Sequence, residues 1–138
     1  MDSLGKLLEI MERGGLIPKI PLAQDEITSV LDQRDEPLFA EEWMRVFHAI
    51  EAKKRSKQDA ESRVTRLREL AFAQSFELWE SPDVAAYVSD DFGLIGDALA
   101  VGYDDEWLNA LFDAYQMARI PRGSLRRRRG PLGAPLLE

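Results

Sequence analysis

Few residues in this chain could do chemistry, and their spacing argues against most of it. Catalysis needs groups that exchange protons, bind metal or attack, held close together. His48 is the only histidine and there is no cysteine. Thiol nucleophiles, thiolate metal sites and disulfides are therefore excluded. A Ser-His-Asp triad would have to use His48, which sits beside Phe47 on the apolar face of a predicted helix and reads as a core or boundary histidine. His48 and Glu51 stand one turn apart, a ligand-like spacing. A carboxylate metal site in a four-helix bundle wants two Glu-x-x-His pairs and further Glu from facing helices. Here the order is reversed and the histidine is alone, so we assign no metal. Phosphate-cradling loops are missing too, since neither GxxxxGK[ST] nor GxGxxG occurs. Gly93 and Gly96 in "DDFGLIGD" lie on a predicted helix among acids that would repel phosphate. We assign no catalytic residue and no cofactor.

What stands out is acid. Residues 89–115 hold seven Asp or Glu and no Lys or Arg, among Phe, Trp, Tyr and Leu. The formal charge of the chain is -7, unevenly spread. Residues 1–121 carry 24 acids and 13 bases, net -11, while residues 122–138 carry five Arg and Glu138, net +4. Residues 53–68 hold seven bases and two acids, and residues 69–118 then hold eleven acids and no base. Such asymmetry speaks to partners and solubility rather than to fold. Asp90, Asp91, Asp104 and Asp105 could in principle make an Mg²⁺ site. Each pair also stands where a helix N-terminus wants negative charge, and capping explains them more cheaply.

Elements that position these residues read as helices throughout. The length of 138 residues fits one domain with a proper core. Val and Ile are few and no alternating run appears, so a sheet is not expected. A first helix runs from a cap at Asp2 or Ser3 to Gly14-Gly15, with Leu4, Leu7, Leu8 and Met11 on one face. "LIPKIP" is a connector, because Pro18 and Pro21 forbid helix continuation. A second helix covers about 23–33. From Leu38 to Glu80 there are 43 residues without Gly or Pro. This is one long helix or, the reading adopted, two that break near "KKRSKQD", where Ser56 and Asp59 could start the second. Phe39, Trp43, Val46, Phe47 and Ile50 make the buried face of its first half, and Val64, Leu67, Leu70, Ala71 and Leu78 that of its second. In "WESPDVAAY", Ser81 is an N-cap and Pro82 a first helical residue. Ser89, Asp90 and Asp91 cap a further helix ended by Gly102, and Asp104, Asp105 and Glu106 open the last. The expectation is an all-α single-domain bundle of about five to seven helices over residues 1–121.

After Pro121, "RGSLRRRRGPLGAPLLE" mixes Gly, Pro and like charge without a periodic apolar face. It reads as a flexible, disordered basic tail. Arg126–Arg129 could meet nucleic acid, but the net -11 body opposes a polyanion and no aromatics interleave, so nucleic acid is not the expected partner. No apolar run approaches the ~20 residues of a membrane span, and the interrupted start "MDSLGKLLEIMERGG" is not a secretory signal. The expected location is the cytoplasm.

Capping leaves about half of the acids between 69 and 118 unexplained. They are either a solvated face balanced by the basic 53–68 segment or a surface for a basic protein. One-sign charge steers association, and Tyr and Trp are favoured contact residues. The candidate partner-binding residues are Tyr87, Asp90, Asp91, Asp97, Tyr103, Asp104, Asp105 and Glu106. In size, acidity and the stretch "SDDFGLIGDALAVGYDDEWLNALFDAYQMARIP", the chain resembles the small acidic helical immunity proteins that bacteria make against their own secreted toxins. The resemblance implies a non-catalytic inhibitor whose acids occupy the cleft where a basic toxin expects an anionic substrate. An alternative is a homodimeric regulatory, adaptor or chaperone-like protein built on the Leu38–Glu80 segment. An enzyme using carboxylates alone would need two of them about 5–10 Å apart in a cleft.

Overall fold

The computed structural model describes residues 1–54 and 58–138. Among them are six helices and no strand: α1 Ser3–Glu12, α2 Gln24–Asp35, α3 Pro37–Lys53, α4 Gln58–Trp79, α5 Pro82–Val101 and α6 Glu106–Gln116. The protein is all-α. The long Gly- and Pro-free segment is two helices, α3 ending at Lys53 and α4 beginning at Gln58. The proposed Ser56–Asp59 start lies outside the described residues.

Local chemistry sets most boundaries. The Asp2 carboxylate accepts from Gly5 N at 2.8 Å and caps α1. Pro37 disfavours helical backbone at Glu36, so α2 stops one residue earlier and α3 starts at the proline. Ser81 caps α5 by accepting from Val84 N, and Pro82 occupies the first turn. Gly102 closes α5 at φ 72, a left-handed position that costs glycine little. Asp105 caps α6, accepting from Leu108 N at 3.0 Å.

One boundary differs from expectation. Ser89, Asp90 and Asp91 do not cap a helix, because α5 runs through them without a break. Ser81-Pro82 supplies the start signal, and the apolar residues Val84, Val88, Phe92, Ile95 and Ala98 sustain one face for 20 residues. α5 is the central helix. Its Gly93 and Gly96 let α4 approach closely: a Cβ on Gly96 would lie 3.0 Å from Leu67 Cδ2 and 3.2 Å from Val64 Cγ2.

The core is built from Leu4, Leu7 and Met11 of α1, Val64, Leu67 and Ala71 of α4, the inward face of α5, and Trp107, Leu108, Leu111, Phe112 and Tyr115 of α6. Trp79 Nε1 donates to Ile20 O at 2.8 Å, holding the proline-rich connector against α4, and Gln74 Nε2 donates to Met11 O at 2.8 Å, tying the end of α1 to the same helix. Several expected core residues face out instead. Leu78 is exposed, with Ser75 and Trp79 taking the buried positions, and His48 is exposed with its ring edge against Phe47. Trp43 and Phe47 are only half-buried.

The segment after Pro121 forms no helix, but it is laid along α6 and returns to α1. Leu132 and Leu137 are buried, and Ser3 Oγ donates to Leu137 O at 3.0 Å. Residues 119–128 arch over a cleft of about 860 Å³ floored by α2 and α6. Charge accounts for this placement of an otherwise irregular segment: the start of α6 is acidic and the segment carries arginines.

Candidate functional site: the acids of α5 and α6 and their partners

The acidic stretch that is unbalanced in sequence is balanced in space. Six of its seven carboxylates lie within 4.0 Å of a cation supplied by another part of the chain. Asp90 meets Arg68 of α4 at 2.9 Å, and Asp97 meets Lys54 at 2.9 Å. Asp91 meets Arg34 of α2 at 2.7 Å, and Asp105 meets Arg45 of α3 at 2.8 Å. Asp113 and Glu106 meet Arg128 and Arg129 at 2.6 and 4.0 Å. The seventh, Asp104, accepts from Leu132 N at 2.8 Å. Of the two accounts of the acids, balance across helices therefore explains much of their placement.

The candidate residues do not form one face. Asp91 is a correction: it has no exposed surface and cannot touch a partner. Its oxygens accept from Arg34 Nη1 and Nη2 at 2.7 Å each, from Trp43 Nε1 at 2.9 Å and from Tyr115 Oη at 2.5 Å. Arg34 also donates to Pro121 O at 3.1 Å and lies between the rings of Phe39 and Tyr87, 4.5 and 4.7 Å from their centroids. One carboxylate thus ties together α2, α3, α5 and α6. Burial works against the charged form of Arg34, but Asp91 overrides it and raises its pKa. Burial, with the Asp91 charge, pushes the Tyr115 phenol well up. Four donors saturate the carboxylate, as a buried charge requires.

The first of two surface patches is a groove between α3 and the α4–α5 pair, edged by Asp90 and Asp97 with Trp43, Phe47, Lys54 and Arg68. Tyr87 lines a neighbouring cleft that shares Asp90 and Trp43 with that groove. Trp43 and Phe47 are stacked, with centroids 5.8 Å apart and planes 17° from parallel. Tyr87 Oη hydrogen-bonds Asp35. Burial raises the pKa of Asp90 despite the Arg68 charge. Sequence reasoning placed Trp43 and Phe47 in the core. Their spacing is that of the buried stripe, and only the cross-helix bond of the Trp43 indole to Asp91 shows why the ring stops at the edge.

Tyr103, Asp104, Asp105 and Glu106 form the second patch at the opposite end of α5. Asp105 does two jobs there, capping α6 and accepting from Arg45. Burial alone would raise its pKa, but Arg45 and the Leu108 N–H hold it below the usual carboxylate value. Among the described residues no three His, Asp or Glu side chains gather as a metal ion would need. No described helix is long and apolar enough to cross a membrane.

A search of characterised proteins finds none that matches the chain significantly. A protein family described as "Immunity protein PIM1" matches residues 6–122, which takes in all six helices except the first residues of α1 and stops where the arginine-rich segment begins. The chain belongs to that immunity protein family.

Proposed function

We propose that the protein is an immunity protein that neutralises a basic toxin by covering its substrate cleft. The family match over residues 6–122 is the observation that carries this reading. The protein acts in the cytoplasm, by binding alone, without a cofactor. The α3–α5 groove is the surface best suited to first contact. Trp43, Phe47 and Tyr87 offer aromatic area beside Asp90 and Asp97. The Arg68–Asp90 pair is exposed, with side chains 51% and 43% accessible, and the Lys54–Asp97 pair is partly so, at 38% and 25%. Such pairs are worth only about 0–1 kcal/mol. A toxin cation therefore replaces Arg68 or Lys54 at little cost, whereas the Arg34–Asp91 pair behind the groove stays fixed. Tyr103, Asp104, Asp105 and Glu106 extend the acidic contact to the other end of α5.

The test begins with a pull-down from source-cell lysate, washed at low and high salt. The captured basic protein is then expressed with and without this chain. Rescue of growth by the unaltered chain, and a fall of at least tenfold in affinity with Asp90→Lys plus Asp97→Lys, support the reading. Growth arrest that persists in the presence of the chain sinks it.

A specific observation favours a second reading. Phe72 and Phe76 are stacked and exposed on α4, 6.1 Å between centroids. They suit a homodimer in which α4 meets its copy. Sedimentation velocity at micromolar concentration that shows only monomer removes this idea.

A further inference from the structure

Glu106, Asn109 and Asp113 stand on one line of α6, at i, i+3 and i+7, and residues 126–132 run antiparallel to that line. Arg128 N donates to Glu106 O at 3.1 Å. The Asn109 side-chain amide donates both hydrogens to the segment, to Arg128 O and Gly130 O at 2.8 Å each. Three successive arginines reach three carboxylates on two helices: Arg127 to Glu42 of α3, Arg128 to Asp113 and Arg129 to Glu106. Leu132 N donates to Asp104 while its side chain is buried. An asparagine that bonds two backbone carbonyls two residues apart reads extended chain. Flanking carboxylates spaced to take consecutive arginines read side chains.

The fit is incomplete. Asn109 is 1% exposed, yet its Oδ1 has no hydrogen-bond partner among the described residues, and neither has the buried Arg128 Nη2. A buried polar atom without a partner forfeits the hydrogen bonds it made to water. A ligand that supplies one more N–H to Asn109 Oδ1 would satisfy an atom the resident segment leaves unmet.

We propose that this face of α6 is a binding site for an extended, arginine-bearing peptide segment of a partner protein, and that residues 126–132 are its resident competitor. The partner's segment would present consecutive arginines to Glu42, Glu106 and Asp113 and its backbone to Asn109. The site is distinct from the α3–α5 groove. It shares Glu106 with the second acidic patch, but no toxin enters its test, so its failure and that of the immunity reading are distinguishable.

The probe is a fluorescein-labelled peptide of residues 124–133, SLRRRRGPLG, with a scrambled peptide of the same composition as control. Full-length chain is compared with Arg127→Ser plus Arg128→Ser, which loosens the resident segment. Anisotropy should show the double variant binding the peptide at least tenfold more tightly than the unaltered chain, and more tightly than it binds the scramble. Adding Asp113→Ser to the double variant should abolish that gain. Equal binding by both chains, equal binding of the scramble, or no binding by the variant at high micromolar peptide overturns the proposal. An independent reading avoids any loss of fold: in unaltered chain, excess peptide should shift the Asn109 side-chain amide resonances. Unmoved Asn109 resonances at saturating peptide count against the site.

Discussion

Asp90 and Asp91 are neighbours in sequence and opposites in role. Both lie mid-helix on α5 and both meet an arginine. One helical step of about 100° separates them. That step sends Asp90 to the α4 side, where its pair with Arg68 stays in water, and turns Asp91 inward onto Arg34, Trp43 and Tyr115. Residue type and spacing fix neither fate. What decides it is whether the arginine is itself exposed, as Arg68 is on the outer side of α4, or buried, as Arg34 is on α2, and therefore how much water is left to compete. Buried, the pair is a structural joint that cannot be exchanged. Exposed, it is a pair a partner can open.

The largest effect should come from the buried member. Asp91→Ala leaves Arg34 charged and unpaired and strips partners from Trp43 and Tyr115. The expected loss is about 3–5 kcal/mol, measured by urea unfolding. A loss below 1 kcal/mol would mean that the joint is not set as described. At the second patch, Asp105→Ala removes the α6 cap and the Arg45 bond together and should cost about 1–2 kcal/mol, read from the same unfolding curves. Asp90→Ala should change stability by no more than about 1 kcal/mol, while weakening capture of a basic partner in a salt-dependent way. If it unfolds the protein as Asp91→Ala does, the contrast between the neighbours collapses.

The smallest effect is a difference of sign with pH. Asp105 is held below its unfolded value, so its contribution is present above pH ~4 and is lost as pH falls through the folded pKa. Asp90 is raised by burial, so its ionisation opposes folding, and stability gained from it at low pH is lost as pH rises through its folded pKa. Carbon-detected NMR titration should place the Asp90 midpoint above that of Asp105. Coincident midpoints would remove this distinction.

Much of this was legible in the residues. Asp2, Ser81 and Asp105 announce helix starts through side-chain bonds that act within a turn, and Pro82 and Gly102 act through their own backbones, so local sequence suffices. The all-α class also follows from local signals, while the division of 38–80 into two helices agrees with the reading adopted without its Ser56–Asp59 signal being among the described residues. The Asp90-Asp91 pair looked like another cap because a cap and a mid-helix ion pair use the same letters. Telling them apart needs Arg34, 57 residues away, and Arg68. The seven acids looked unbalanced for the same reason, since every compensating cation is remote in sequence. The segment after Pro121 carries no pattern of its own, and what orders it against the body is the polar line on α6.

The burial of α5 bears on timing. Its face from Val84 to Ala98 is closed by other helices, while residues 126–132 are held mainly by hydrogen bonds and ion pairs at the surface. Amide exchange rates should follow that division. The N–H groups of Val88, Phe92 and Ile95 should exchange only through global unfolding, and those of Arg128 and Leu132 by local detachment many times faster. Exchange of that kind would mean that the strap over α6 lifts and settles within the lifetime of a single folded body.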